Sequence, residues 1–98
     1  MLFSFYNLDK PNTDFRASLR SEHRKYLAQF SDRIAFAGPL LANDGLTPIG
    51  SLLVLEFDSL NSAYRFIHNE PYTKSGLYES ITIRPFRNLW QPYTGFPT

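Results

Sequence analysis

With 98 residues, 43% of them hydrophobic and 19% charged, the chain has room for one core and the composition of a globular domain rather than a disordered one. Ten Lys and Arg against nine Asp and Glu leave a formal charge of +1, without the concentrated basic field that nucleic-acid binders carry. The lack of cysteine excludes disulfides, thiolate metal sites and thiol nucleophiles, and no apolar run approaches the roughly 20 residues that cross a bilayer. The expectation is a cytoplasmic protein that engages neither nucleic acid nor membrane.

In chain order, the apolar segment LFSFYNL (2–8) has neither a basic leader nor a small-residue cleavage site, so it reads as a strand. It stops at Asp9-Lys10-Pro11-Asn12, a cluster of turn formers. Thr13 is placed to cap a helix running to about Ser31, with Asp14 in the first turn. RIAFAGPLL (33–41) predicts a strand punctuated by Gly38-Pro39, and Asn43-Asp44-Gly45 a turn. IGSLLVLEF (49–57) is a third strand, with leucines on both faces. Asp58-Ser59 leads into a second helix whose stripe is Leu60, Ala63, Tyr64 and Ile67, ended near Asn69 by Pro71. Lys74-Ser75-Gly76 closes a loop or short turn, and LYESITIRPF (77–86) is the last strand, Ile81 and Ile83 on one face, Tyr78, Ser80 and Thr82 on the other.

The order β-α-β-β-α-β is the split pattern of an α+β, ferredoxin-like domain: a four-stranded antiparallel sheet with helices on one face. The third strand makes the second face apolar too. Apolar surface left in water costs about 25 cal/mol per Å², so two such sheets are expected to pack together as a homodimeric α/β barrel.

His23 is the first candidate for chemistry. It falls in the row Leu19, His23, Leu27, Phe30 on one face of the first helix. A histidine there is either a core-edge residue satisfied by a backbone carbonyl or, with a carboxylate partner to fix its tautomer, a general acid or base. Asp9, Glu22, Glu56, Glu70 and Glu79 are the candidate partners. Glu70 stands apart because Pro71 stiffens its backbone, although a solvated loop acid fits the same position. Arg16, Arg20 and Arg24 recur at four-residue spacing, either as a solvated face or with Arg20 turned to an anionic ligand. His68 and Glu70 have an H-x-E spacing but lack a third ligand in range. Ser51 has no nucleophile elbow around it, and could instead donate a hydrogen bond into a pocket. Backbone amides near Gly38 or Gly50 are further candidate donors.

Together, several short pieces resemble the YCII-related (YciI-like) domain proteins. They are Asp9-Lys10-Pro11, Arg20-x-x-His23, Ala37-Gly38-Pro39-Leu40, Gly50-Ser51-Leu52, Glu70-Pro71-Tyr72, Gly76-Leu77-Tyr78-x-Ser80 and Ile83-Arg84-Pro85-Phe86. The resemblance implies a dimeric α/β barrel whose pocket is built around a histidine and an acidic residue. It also implies a link to dehydrochlorinases of chlorinated hydroxyquinols, which form one branch. His23 lands on the family histidine, and Glu70 stands where the family usually has aspartate, one methylene longer. On this basis His23 and Glu70 are read as the catalytic pair, and Arg20, Gly38, Pro39, Ser51 and Tyr72 as substrate-binding, with no cofactor or metal. Residues 1–88 are read as the YCII-like domain and 89–98 as a Pro/aromatic tail longer than the family's usual ending.

The leading functional expectation is acid–base lyase or isomerase chemistry, of the dehydrochlorinase kind, on a small carboxylated or ring-shaped molecule. The alternatives are a dimeric ligand-binding or accessory module without turnover, and a cofactor-free or haem-linked oxygenase on the same barrel. Trp90, Tyr93 and Phe96 are expected to cover the pocket mouth or reach the partner subunit.

Overall fold

Antiparallel pairing of β1 (Leu2–Asp9) with both β3 (Pro48–Glu56) and β4 (Tyr78–Phe86) organises the computed structural model, which describes residues 1–11 and 15–90. β2 (Ile34–Leu41) joins β3 at the edge, giving one four-stranded sheet in the order β2-β3-β1-β4. Pro39 is tolerated because β2 is an edge strand with a neighbour on one side alone. Helices α1 (Phe15–Ala28) and α2 (Leu60–His68) supply the two crossovers, so the chain folds as the ferredoxin-like α+β arrangement.

The register decides which side chains meet the helices. Phe3 pairs with Leu55 and Phe5 with Leu53, and all four are buried against Ala63, Phe66 and Ile67 of α2 and against Tyr26, Leu27 and Phe30. On the opposite face lie Tyr6, Leu52, Val54 and Phe36. Tyr6 is 47% and Phe36 43% exposed while Val54 is 2% exposed, so this second face is apolar and exposed mainly toward its edges. Gly50 belongs to the tightest point of the sheet, since a methyl group there would be driven into the Asn7 carbonyl. The 43–45 turn forms as expected, with Gly45 at φ 71°. Hydrogen bonds from the Thr47 hydroxyl and amide, and from the Leu46 amide, hold the Asp44 carboxyl down to about 2.

Three expectations need correction. α1 ends at Ala28, and a run of turns reaches Arg33, so the helix is shorter than Ser31 implied. The buried stripe of α2 is Ala63, Phe66 and Ile67, while Leu60 and Tyr64 are exposed and Tyr64 stacks on His68. The short turn allowed for before Gly76 takes the form of a one-turn helix, α3 (Pro71–Lys74). Proline is well suited to that first helical position, so Pro71 both stops one helix and starts another. Finally, the β1–β4 register shifts between Leu8 and Asp9, which turns Tyr78 to the helix side with Ile81. Among the described residues, no helix is long and apolar enough to cross a membrane.

Thr13 and Asp14, the expected start of α1, lie outside the described residues, as do Tyr93 and Phe96. Trp90 is 86% exposed.

Candidate active site

α3 brings the expected pair together. Glu70 precedes it as N-cap, in extended backbone, and its Oε2 accepts the amides of Tyr72 and Thr73 at 3.1 and 3.3 Å. That fixes the carboxylate, and Oε1 faces α1, where it pairs with His23 Nδ1. Glu70 is fully buried, and its longer side chain spans the distance to the imidazole. The imidazole lies on the Tyr72 ring, with centroids 4.1 Å apart and planes 14° from parallel. The ring is therefore held at one nitrogen and along one face, leaving Nε2 without a partner among the described residues.

A second charged group is locked beside it. The Arg16 fork meets Asp9 with Nε–Oδ2 at 2.8 Å and Nη2–Oδ1 at 2.7 Å, both side chains mostly buried. Burial opposes the Arg16 charge, but the hydrogen bond and charge of Asp9 more than offset this and lift its pKa above the usual value. The guanidinium also lies 4.7 Å from the centre of the Tyr72 ring and donates to Ser51 Oγ at 3.0 Å. Ser51 in turn accepts from the Tyr78 hydroxyl at 2.9 Å. Burial pushes the Tyr78 hydroxyl well above the usual tyrosine range, and the Glu70 charge adds to this. Burial also raises Tyr72, with Arg16 pulling the other way.

These groups surround a cavity of about 380 Å³ between α1 and the β2–β3 edge of the sheet. Its wall includes Arg16, Arg20, His23 and Arg24 from α1, Gly38 and Pro39 from β2, Ser51 from β3, and Tyr72 from α3. Pro39 pairs with Ser51 across the ladder, which is why the two reach the same wall. Every residue read as catalytic or substrate-binding thus lies on or directly behind one cavity. His68, by contrast, is exposed and stacked on Tyr64, away from the site.

In sequence, Asp9 reads as a turn former or a candidate partner of His23 and Arg16 as part of a solvated row, while neither Tyr78 nor Asn7 stands out as a site residue. The structure puts all four beside the cavity or its hydrogen-bond network. Spacing could have found Arg16: Arg16, Arg20, His23 and Leu27 fall at i, i+4, i+7 and i+11, one helical face. Asn7 had no such signal. It is fully buried beside Ser51 in the register, and neither amide atom has a hydrogen-bond partner among the described residues, although the amide lies near enough to the Tyr78 hydroxyl to favour its ionised form slightly.

Comparison with known proteins agrees with the geometry. The model of the YCII-related domain matches residues 1–87. The chain is 33% identical over 98 residues to Protein YciI of Escherichia coli O6:H1, covering 92% of this chain and all of that one. It is 29% identical, with the same coverage, to an uncharacterized protein of Haemophilus influenzae. Among solved structures, it resembles the 5-chloro-2-hydroxyhydroquinone dehydrochlorinase of Burkholderia phenoliruptrix AC1100, in complex with 2,5-dihydroxybenzoquinone. That likeness has a TM-score of 0.83 at 29% identity, covering 89% of this chain and 94% of the other. On its fold, its matched length and its relatives, the chain belongs to the YCII-related domain family.

Proposed function

We propose that the cavity performs acid–base chemistry on a small oxygen-rich organic molecule, with elimination or isomerisation as the reaction type. The observation that carries this is His23 held at Nδ1 by a buried carboxylate, with Nε2 available at a cavity wall that also presents Arg20 and Arg24. In this reading Nε2 takes a proton from the substrate, and Glu70 stabilises the imidazolium that forms. The electron pair left behind flows into the substrate. In an elimination it expels a leaving group such as chloride on the neighbouring carbon; in an isomerisation it is reprotonated elsewhere. Negative charge that develops on a substrate oxygen is met by the guanidinium groups. The structural likeness to a dehydrochlorinase favours elimination, and the hydroxyquinone in that complex indicates the kind of molecule to try.

The partly exposed apolar sheet face, with Tyr6 and Phe36 in the open, supports assembly as a homodimer, back to back through the sheets. We place the protein in the cytoplasm, consistent with a chain free of cysteine.

The test is turnover of chlorinated hydroxyquinols, followed by chloride release, in wild type and His23→Ala. The expected result is a loss of about 10²- to 10⁴-fold with the fold retained. Chloride release unchanged by His23→Ala overturns the acid–base reading. Binding of 2,5-dihydroxybenzoquinone that weakens in Arg20→Ala, without turnover of any hydroxyquinol by wild type, would mark a ligand-binding module instead.

A further inference from the structure

The hydrogen-bond inventory around the cavity is lopsided. Asp9 spends both oxygens on the Arg16 fork, and Glu70 spends its own on His23 and the α3 amides. Both carboxylates are thus engaged by donors of the protein itself, and neither is among the residues that line the cavity. The cavity wall instead holds Arg20 and Arg24, which can only donate.

Ser51 looks ambiguous by type, since a hydroxyl has two lone pairs and one proton. Its surroundings remove the ambiguity. Arg16 Nη2 fills one lone pair at 3.0 Å and cannot do otherwise, because guanidinium has no acceptor. The Tyr78 hydroxyl, buried and kept protonated, fills the second at 2.9 Å. What remains is the Ser51 proton. With Tyr78 as donor it has no other acceptor among the described residues, and Ser51, 2% exposed, has the cavity as its open side. We infer that Ser51 is a donor-only hydroxyl that binds an oxyanion of the ligand: a phenolate, enolate or carboxylate oxygen. Accepting from a cation and from a second hydroxyl polarises its O–H and strengthens that donation. A neutral ligand hydroxyl gains less at this point, because it lacks the charge that strengthens a hydrogen bond from Ser51 and that the Arg20 guanidinium in the wall attracts. This rests on the proposed function for the cavity being the ligand site, but it requires no proton transfer by His23.

The experiment uses 4-nitrophenol, whose anion alone is yellow, so that affinities for the neutral and ionised forms are read from one absorbance titration across pH. Wild type, Ser51→Ala, Ser51→Cys and His23→Ala are compared, with circular dichroism as a check on folding. Wild type is expected to prefer the anion. Ser51→Ala should lose about tenfold or more of the anion affinity, leaving the neutral form unchanged. Ser51→Cys, which keeps the side chain but donates weakly, should fall between. His23→Ala should retain the preference, so a failed acid–base reading and a failed oxyanion reading give different patterns. Equal anion affinity in wild type and the folded Ser51 variants overturns the inference, as does a wild type that fails to bind the anion or to prefer it. Equal affinity is also what results if Tyr78 turns its proton to Asn7 and takes that of Ser51.

Discussion

One carboxylate oxygen of Glu70 holds His23 Nδ1 while the other caps the short helix that carries Tyr72, the ring on which the imidazole lies. A single buried side chain therefore fixes the histidine at its edge and, through α3, along its face. Glu70→Gln keeps the shape but leaves one carbonyl oxygen for these tasks and sets an amide N–H₂ against a donor. The expected destabilisation is about 2 to 4 kcal/mol, combining a charge-assisted bond and a helix cap. For a domain of this size that lowers Tm by more than about 8 °C. Thermal unfolding checks it, and a melting curve that coincides with wild type would mean the contact contributes nothing to stability.

Tyr72 lies between the imidazole and the Arg16 guanidinium, and its hydroxyl donates weakly to the Arg16 carbonyl at 3.3 Å. Tyr72→Phe preserves both ring contacts and should cost about 0.5 to 1 kcal/mol. Tyr72→Ala removes the column and opens a cavity, at about 3 to 5 kcal/mol. Denaturant titration of the two variants separates the ring from its hydroxyl. Equal losses would assign the stabilisation to the hydroxyl and refute the stacking account.

Much of this site was legible in one dimension because helix periodicity and a proline carry it. His23 sits in an apolar row, and Pro71 singles out Glu70 from the other acids. The four strands and two crossovers followed from alternation and turn chemistry in the same way. What stayed hidden depends on three-dimensional register. Tyr78 alternates in sequence with Ser80 and Thr82, and only the shift between Leu8 and Asp9 turns it toward Ser51. Asp9 reads as a turn former because its partner, Arg16, meets it only after the chain has reversed into α1. Phe66 displaced Tyr64 from the buried stripe because the sheet meets α2 along Ala63, Phe66 and Ile67.

The Tyr78 hydroxyl gives an alkaline limit with a definite sign. Burial raises its pKa in the folded protein above the unfolded value of about 10. The folded state then binds more protons than the unfolded state once pH passes that value, so the contribution is intact below pH 10 and lost progressively above it. Wild type should lose stability from about pH 10 upward more steeply than Tyr78→Phe. Urea midpoints between pH 8 and 11 check this. Parallel curves for the two proteins would show that Tyr78 ionises freely.

Asn7 is the weak point of the core. Its amide is fully buried, next to Ser51 in the ladder, with no hydrogen-bond partner among the described residues. A buried unsatisfied amide costs about 1 to 3 kcal/mol, and a β-branched residue suits an interior strand. Asn7→Val is therefore expected to be neutral or to stabilise by about 1 kcal/mol, an uncommon direction for a core substitution. Chemical denaturation provides the comparison. A loss of more than about 2 kcal/mol would show that the amide has a partner essential to the fold.

The sheet face away from the helices makes the last prediction. Tyr6 and Phe36 are each nearly half exposed, flanking Leu52 and Val54 on the side away from the helices. Neither is needed to fill the core of the single chain, since that core is built from Phe3, Phe5, Leu53 and Leu55 on the other side. Charged replacements there should therefore disrupt assembly without disrupting folding, as a lysine in the middle of a dry sheet–sheet interface has no partner. Wild type is expected to sediment as a dimer, and the double variant Tyr6→Lys, Phe36→Lys as a monomer with an unchanged far-ultraviolet spectrum. A wild type that sediments as a monomer at micromolar concentration removes the dimer. A double variant that stays dimeric places the interface elsewhere, because two ammonium groups cannot be buried in that layer at such small cost.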